Sequence, residues 1–198
     1  VFFGSGTRLL AVAVISDRIK PTTLAALSEL RVLGLEICML TGDGRKTAAS
    51  IAAELGIGRY EAEVLPADKD QFIRRLQAEG RTVAMVGDGI NDSQALSRAD
   101  VSIAMGRGTD IAMEVAMVTL MNSDLLLVPR AYKLSRDTVR AIRQNLFWAF
   151  VYNVVGIPIA AGVLYPVWGI LLNPMLASAA MAFSSVSVVL NSLRLRWK

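Results

Sequence analysis

The first two thirds of the chain alternate short apolar runs with segments of helical periodicity. Apolar, β-branched runs predict strands over residues 9–15, 35–40, 63–65, 82–86, 101–104 and 118–121. Apolar positions at helical spacing predict helices over residues 22–33, 47–55, 69–78 and 110–116. Because strands and helices alternate with short turns between them, we expect βαβ units, a mainly parallel sheet and right-handed crossovers.

The last third of the chain has almost no charge. No charged residue lies between Arg143 and Arg194, and this stretch is long enough for two membrane spans of about 20 residues each. We predict spans over residues 146–164 and 175–193, with an interfacial turn between them. The alternative is a buried helical hairpin in a soluble domain.

Composition agrees with a chain that is partly soluble and partly embedded in a membrane. Hydrophobic residues make up 54% of it and the mean hydropathy is +0.46, which is too apolar for an ordinary cytosolic domain. We therefore predict three parts: a partial α/β domain over residues 1–124, a cytoplasmic helical stalk over 125–145 and a transmembrane hairpin over 146–198. Ser123 or Asp124 is the predicted cap of the long helix.

Basic residues flank both predicted spans. They are Arg130, Lys133, Arg136, Arg140, Arg143, Arg194, Arg196 and Lys198. The positive-inside bias then places both ends in the cytoplasm, and we expect an integral protein of the plasma (inner) membrane. The net charge of +4 comes largely from these flanks, which we interpret as lipid-headgroup contacts. Residues 135–144 lack the aromatic residues that nucleic-acid binding needs, so no nucleic-acid partner is expected.

Two carboxylates and an amide follow the strand predicted at 82–86. Gly87 and Gly89 break this strand as a tight turn requires. The polar side chains that would converge at the carboxyl end of the strand are Asp88, Asn91 and Asp92. Clustered oxygen ligands at such a point suit Mg²⁺. The alternative is an ordinary surface turn.

Two further elements have features of phosphate binding. Thr41, Gly42, Asp43 and Gly44 lie between a predicted strand and a predicted helix. The Thr41 hydroxyl and the backbone N–H groups of this turn would face the strand end, where phosphate binds well. Lys69 lies at the amino end of a helix, where the helix dipole disfavours a cation. Lys69 therefore either extends into solvent or is held by an anion.

Four motifs, in this order, resemble the second half of the phosphorylation domain of a P-type ATPase. They are Asp17-Arg18-Ile19-Lys20-Pro21, Thr41-Gly42-Asp43, Pro66-Ala67-Asp68-Lys69 and Gly87-Asp88-Gly89-Ile90-Asn91-Asp92. The resemblance implies a haloacid dehalogenase-like (Rossmann-like) α/β fold with the active site at the carboxyl ends of parallel strands. The sheet would be partial here, and the all-α membrane hairpin would follow it.

The same resemblance implies roles for individual residues. Those that would bind Mg²⁺ or form its turn are Gly87, Asp88 and Asp92. Those that would act at the phosphoryl group are Thr41, Gly42, Asp43, Lys69 and Asn91. Lys69 would neutralise the charge of the transferred phosphoryl group. Gly44 departs from the family, which commonly has Asn at this position.

Parts of the family's machinery do not occur in this sequence. Its nucleophile is the first residue of an Asp-Lys-Thr-Gly-Thr motif, which is absent from these 198 residues. The sequence also has no histidine, whereas the copper branch carries a His-Pro pair in its nucleotide-binding domain. Val1 is not an initiator Met. We expect a fragment of a longer chain, inactive without the missing nucleophile and ATP-binding domain.

Polar and sulfur-containing side chains interrupt both predicted spans. Those expected to line an ion path are Tyr152, Asn153, Met181, Ser184 and Ser185. Pro158 loosens the first span close to Asn153. Soft thioethers favour Cu(I), and neither span contains a carboxylate that Zn²⁺ would want. The pattern resembles the last two membrane helices of copper(I)- and silver(I)-exporting P-type ATPases. The alternative is that these residues only pack the helices together.

The resemblance as a whole implies ATP-driven export of Cu⁺ or Ag⁺ through an aspartyl-phosphate intermediate, with Mg²⁺ and ATP as cofactors. The expected partners are the lipid bilayer, the remainder of the pump and a copper chaperone. Two alternatives remain open. In the first, the chain would be a membrane-tethered haloacid dehalogenase-like phosphatase that uses Asp17 as nucleophile. In the second, it would be a non-catalytic truncated partner of a full-length pump.

Overall fold

The computed structural model describes residues 2–5, 8–12, 18–87, 91–106, 114–163, 165–169 and 174–197. The chain forms two compact units, Val1–Pro129 and Arg130–Lys198.

The first unit consists of short strands and helices in alternation. Its strands are β1 (Phe2–Ser5), β2 (Arg8–Val12), β3 (Cys38–Leu40), β4 (Arg59–Glu61), β5 (Ala84–Gly87), β6 (Val101–Met105) and β7 (Val118–Leu120). Its helices are α1 (Thr23–Val32), α2 (Arg45–Glu54), α3 (Pro66–Ala78) and α4 (Ser93–Arg98). Strand β3 pairs with β4 in parallel, and β5, β6 and β7 form a parallel sheet in that order. Strands β1 and β2 form an antiparallel hairpin.

The observed elements confirm most of the predicted ones, with boundaries that move by a few residues. The parallel pairing of β5, β6 and β7 confirms the α/β class. The predicted strand 9–15 is found as β2 over Arg8–Val12, and its last three positions lie outside the described residues. The predicted helix 110–116 lies mostly outside them as well, with Glu114 and Val115 helical.

The strand predicted over residues 63–65 is wrong. The strand in this region, β4, ends at Glu61. Glu63 has a φ angle of +56°, a left-handed conformation that a strand does not allow. The backbone N–H groups of Glu63 and Val64 donate to the carbonyls of Asp43 (2.9 Å) and Thr41 (3.0 Å). Residues 63–65 therefore form a loop held against the turn that follows β3.

Two apolar clusters hold the helices of the first unit against its strands. One contains Leu27 of α1 and Ala52 of α2, with Met39 of β3 packed against it. The other contains Ile73 of α3 and Ala95 of α4. Because each cluster joins two helices to a neighbouring strand, the loops at the strand ends start from fixed positions.

The second unit is helical. Its segments are α5 (Leu127–Ala160), whose first residues belong to the first unit, α6 (Tyr165–Trp168), α7 (Pro174–Leu193) and a 3₁₀ turn (Arg194–Trp197). The Asn145 amide donates to the Ser192 hydroxyl (3.0 Å), and the Asn191 amide donates to Asn145 Oδ1 (2.8 Å). Helices α5 and α7 thus contact each other through polar side chains at this level.

Helix α5 covers residues 146–160 of the first segment predicted to span a membrane, 146–164, and α7 covers the second, 175–193. Among the residues that the structure describes, no helix combines the length and the apolar character needed to cross a bilayer.

Candidate functional site

A nearly buried ion pair joins two of the predicted site residues. Lys69 Nζ donates to Asp92 Oδ1 at 2.6 Å. The two side chains are only 14% and 11% exposed. Lys69 lies in the first turn of α3 and Asp92 lies directly before α4. The sequence left open whether Lys69 extends into solvent or is held by an anion. In the structure it is held by an anion, the carboxylate of Asp92.

The local backbone explains why Asp92 points toward Lys69. Asp92 occupies the N-cap position of α4, where an Asp side chain usually accepts a backbone N–H bond from the helix. Here the side chain makes no capping bond, so its oxygens are free for contacts outside the helix. Its backbone carbonyl accepts the N–H of Leu96 at 2.7 Å and fixes the start of the helix.

Gly87 at the end of β5 provides the space that the Asp92 carboxylate occupies. A Cβ atom at position 87 would lie 2.5 Å from Asp92 Oδ2 and 3.0 Å from Asp92 Cβ. Both contacts are shorter than van der Waals separation allows. A glycine at this position is therefore required by the approach of Asp92 to the strand end.

The turn after β3 is ordered by its own polar side chains. The Thr41 hydroxyl donates to Asp43 Oδ2 at 2.9 Å, and the Asp43 backbone N–H donates to Thr41 Oγ1 at 3.1 Å. Gly42 lies between them, and Gly44 is the N-cap of α2 in an extended conformation. The turn thus presents a hydroxyl, a carboxylate and the free N–H groups of a helix start at one edge.

Backbone hydrogen bonds connect this turn with the segment that leads to Lys69. Residues 63 and 64 donate to the carbonyls of Asp43 and Thr41. The N–H of Lys69 then donates to the carbonyl of Leu65 at 3.3 Å. A continuous set of contacts therefore runs from Thr41 through the loop to the first turn of α3 and across to Asp92.

The magnesium part of the predicted site is described only partly. Asp92 is buried and Asn91 is exposed, whereas Asp88 lies outside the described residues. Within the described ranges, no three acidic, cysteine or histidine side chains form a group that could hold a metal ion. The donors present are oxygens, and Mg²⁺ needs only one or two carboxylates when a phosphate completes its coordination. The described residues thus fit Mg²⁺ as a partial ligand set. Asp17 also lies outside them.

The residues of the predicted ion path are distributed over α5 and α7. Tyr152 is exposed, and the Asn153 amide donates to the carbonyl of Ala149 in its own helix at 2.7 Å. The Ser184 carbonyl accepts the Ser187 hydroxyl at 2.8 Å, again within one helix. The two remaining members are Ser185, which is exposed, and Met181, whose side chain lies outside the description. The hydrogen bonds described for Asn153 and Ser184 thus stay within their own helices.

Hydrogen bonds of Ser123 and Asp124 fix the segment directly before α5, and the sequence predicted only some of them. The Thr22 hydroxyl donates to Asp124 Oδ1 at 2.7 Å, and Lys20 Nζ donates to the Ser123 carbonyl at 2.8 Å. Asp124 Oδ1 also accepts the N–H of Leu126 at 3.1 Å. This last bond agrees with the capping role predicted for Asp124. Nothing in the sequence indicated these two pairings, because about a hundred residues separate Lys20 and Thr22 from their partners.

Two titratable groups of the first unit have shifted pKa values. The Asp100 carboxylate accepts the backbone N–H of Val83 at 2.8 Å, and this hydrogen bond lowers the pKa of Asp100 below its ordinary value. Partial burial in β3 raises the pKa of the Cys38 thiol. Neither residue belongs to the predicted site. Their pKa shifts reflect the local surroundings of the strands next to which the site lies.

The model of the haloacid dehalogenase-like hydrolase family matches residues 1–100 of this chain. This match covers the turn after β3, the start of α3 and the glycine-rich turn after β5.

Individual relatives extend the similarity over nearly the whole chain. The chain is 54% identical to the silver exporting P-type ATPase of Salmonella typhimurium over 196 residues, which cover 99% of the chain and 24% of that protein. It is 58% identical to copper-transporting ATPase 1 of Rhizobium meliloti (strain 1021) over 189 residues, covering 96% of the chain and 23% of that protein. The chain thus spans about a quarter of the length of these curated relatives.

A solved structure has the same fold over most of the chain. A zinc-transporting PIB-type ATPase in its E2.Pi state is 36% identical, with a TM-score of 0.77, and the match covers 90% of this chain and 28% of that one. The resemblance to P-type ATPases predicted from the four motifs is thereby confirmed. The chain belongs to the haloacid dehalogenase-like hydrolase family and is homologous to part of the copper- and silver-transporting P-type ATPases.

Proposed function

We propose that this chain forms part of the phosphoryl-transfer site of a P-type ATPase that exports Cu⁺ or Ag⁺ across a membrane. The nucleophilic Asp and the ATP-binding domain would come from another part of the pump. When bound, Mg²⁺ would supply charge neutralisation at the phosphoryl group through Asp88 and Asp92. The other residues of the predicted site, Thr41, Lys69 and Asn91 among them, would bind and orient the phosphoryl group.

The buried pair of Lys69 and Asp92 is the observation that carries the proposal. An ammonium ion that is only 14% exposed interacts with an anion much more strongly than it would in water. Lys69 is held on one side by Asp92 and has further N–H donors, because an ammonium has three. A phosphoryl oxygen that accepts one of these donors would be stabilised as its charge develops. Asp92 would keep Lys69 in place between turnovers.

The turn after β3 would hold the phosphoryl group from the other side. The Thr41 hydroxyl now donates to Asp43, and it can rotate to donate to a phosphate oxygen instead. The unpaired N–H groups at the start of α2 favour the same anion. Asn91 is exposed next to Asp92 and would support the site by a further hydrogen bond.

The choice of a monovalent soft ion rests on the side chains of the two helices. Met181 supplies a thioether, and residues 144–193 contain no carboxylate. A thioether suits Cu(I), whereas a Zn²⁺ path is expected to contain a charged ligand. Tyr152, Asn153, Ser184 and Ser185 would complete the path with oxygen ligands.

Placement of α5 and α7 in a bilayer is part of the proposal. Large apolar side chains on α5 are exposed, including Leu146 (66%), Phe150 (69%) and Ile157 (64%). Phe183 on α7 is 71% exposed. Such an apolar surface is unfavourable in water and needs a cover of lipid or of protein. With basic residues at both ends of the hairpin, both ends would face the cytoplasm.

The proposal can be tested in the complete pump that carries this segment. We expect ATP hydrolysis and phosphoenzyme formation to be stimulated by Cu⁺ and Ag⁺ and not by Zn²⁺. Lys69→Met should lower phosphoenzyme formation by roughly 100-fold or more, as expected when one donor to a developing charge is removed. Arg74→Met, on the same helix, is the matched control and should behave like the wild type. Stimulation by Zn²⁺ alone would refute the ion assignment, and equal activity of both variants would refute the role of Lys69.

A further inference from the structure

One side of α5 combines basic and aromatic residues around a cavity in the second unit. The cavity has a volume of about 660 Å³. The residues of its lining that matter here, called the basic-aromatic face below, are Tyr132, Arg136, Arg140, Arg143, Phe147 and Trp148. The first five follow one another at spacings of three or four residues, which puts them on one side of the helix, and Trp148 adjoins Phe147.

In the part of the chain that the structure describes, only one of the three guanidinium groups of this face is paired with a carboxylate. Arg140 pairs with Asp137 at 3.1 Å. Arg136 and Arg143 are exposed and make no ion pair within the described part of the chain. Asp137 is the one acidic residue in the sequence after Arg130, against eight basic residues from Arg130 onward. Two exposed guanidinium groups of this face are therefore available to bind an external anion.

The aromatic residues place this charge at a definite level along the helix. Phe147 and Trp148 are 60% and 52% exposed, and their rings meet edge to face at 5.5 Å. They follow Arg143 by about one turn, where the charge-free stretch begins. A polar layer lies at the same level, because Asn145 bonds to Ser192 and Asn191. Guanidinium groups one turn outside a Trp are typical of a membrane interface.

We propose that the basic-aromatic face binds the phosphate group of an anionic lipid headgroup. This inference rests on the proposed membrane placement of α5. Arg136 and Arg143 donate to the phosphate oxygens, since the planar guanidinium fits a phosphate in two-point contact. Trp148 lies beside the glycerol and upper acyl region, with its indole at the headgroup level.

Charge complementarity favours a lipid over another protein segment as the occupant. A protein cover would have to supply carboxylates for at least two guanidinium groups or leave them buried without partners, which is costly. An anionic bilayer supplies phosphates at this level at high density and leaves the face accessible to water.

Native mass spectrometry of the protein in detergent can test the proposal, with phosphatidylglycerol and phosphatidylcholine added in separate titrations. We expect phosphatidylglycerol to bind at least tenfold more tightly. The double variant Arg136→Gln/Arg143→Gln should weaken its binding roughly 30-fold, which is about 2 kcal/mol at 1.4 kcal/mol per tenfold change. Arg74→Gln/Arg81→Gln removes two positive charges from exposed side chains of the first unit and should change binding less than about twofold. Arg136→Lys/Arg143→Lys keeps the charge and should retain most of the preference.

Each contrary result has a distinct meaning. Equal binding of the two lipids, or an equal loss in Arg74→Gln/Arg81→Gln, overturns the proposal. Displacement of the lipid by millimolar inorganic phosphate, but not by chloride at the same ionic strength, would assign the face to free phosphate instead. Loss of lipid binding in the complete pump would show that another part of the protein covers the face. Failure of the chain to co-float with vesicles would contradict the proposed membrane placement, whereas co-flotation without lipid preference would contradict only this inference.

Discussion

Replacing Lys69 by Met should destabilise the first unit far more than an exposed ion pair on the same helix would suggest. The change keeps most of the side-chain volume and removes the ammonium. The Asp92 carboxylate, only 11% exposed, then has no cation beside it. Loss of one partner from a buried pair costs about 3–5 kcal/mol, because an uncompensated charge stays in a poorly solvated place.

The pair of Arg74 and Asp70 provides a matched control on α3. Its atoms are 2.8 Å apart, but Arg74 is 57% exposed. Arg74→Met should therefore cost only about 0–1 kcal/mol. Both variants are compared with the wild type by urea unfolding in the same detergent, followed by circular dichroism.

A second substitution distinguishes the ion pair from a packing effect. In Lys69→Met/Asp92→Asn neither side chain is charged, so the loss should be smaller than the sum of the two single losses. We expect a coupling free energy of about 1–3 kcal/mol, which is the range for residues in direct contact. A Lys69→Met loss below about 1 kcal/mol, or additive single losses, would refute the view that Asp92 depends on Lys69 for its charge.

Three further predictions concern other parts of the first unit. Gly87→Ala should destabilise the protein by about 1–3 kcal/mol in urea unfolding, because its Cβ would overlap the Asp92 carboxylate, and the loss should shrink in an Asp92→Ala background. Asp100→Asn replaces the carboxylate that accepts the Val83 N–H with a neutral amide, which is a weaker acceptor; because the folded state lowers the pKa of Asp100, the stability lost in this variant should be constant above its ordinary pKa and should vanish as pH falls through the lowered one, in thermal melts from pH 7 to pH 2. The Cys38 thiol should react with iodoacetamide more slowly than free cysteine at pH 8, since burial raises its pKa, and the difference should diminish in urea; equal rates in the folded state would contradict this.

Local patterns in the sequence were sufficient to predict much of the fold. The strand before Gly87 and the helix after Gly44 were found from apolar periodicity and turn residues, which act within a few positions. The error at residues 63–65 has a non-local cause. The apolar residues Val64 and Leu65 suggested a strand, but hydrogen bonds to the turn after β3 hold Glu63 in a left-handed conformation.

The candidate site was predictable to a similar extent. The motif order brought Lys69 and Asp92 into one proposed site, and the structure places them in contact. Their pairing could not be derived from spacing, because it depends on how α3 packs against α4 through Ile73 and Ala95. The close approach of Asp92 to Gly87 is likewise a property of the tertiary structure.

The hydrogen bonds of Asp124 restrict how the start of α5 can move. One oxygen atom, Asp124 Oδ1, accepts both the Thr22 hydroxyl and the N–H of Leu126 directly before α5. Rotation of the first turn of α5 about its own axis would lengthen one of these two bonds. The beginning of α5 therefore cannot turn independently of residues 20–22, so a shift of that short segment has to be accompanied by a shift of the helix start or by the loss of a hydrogen bond.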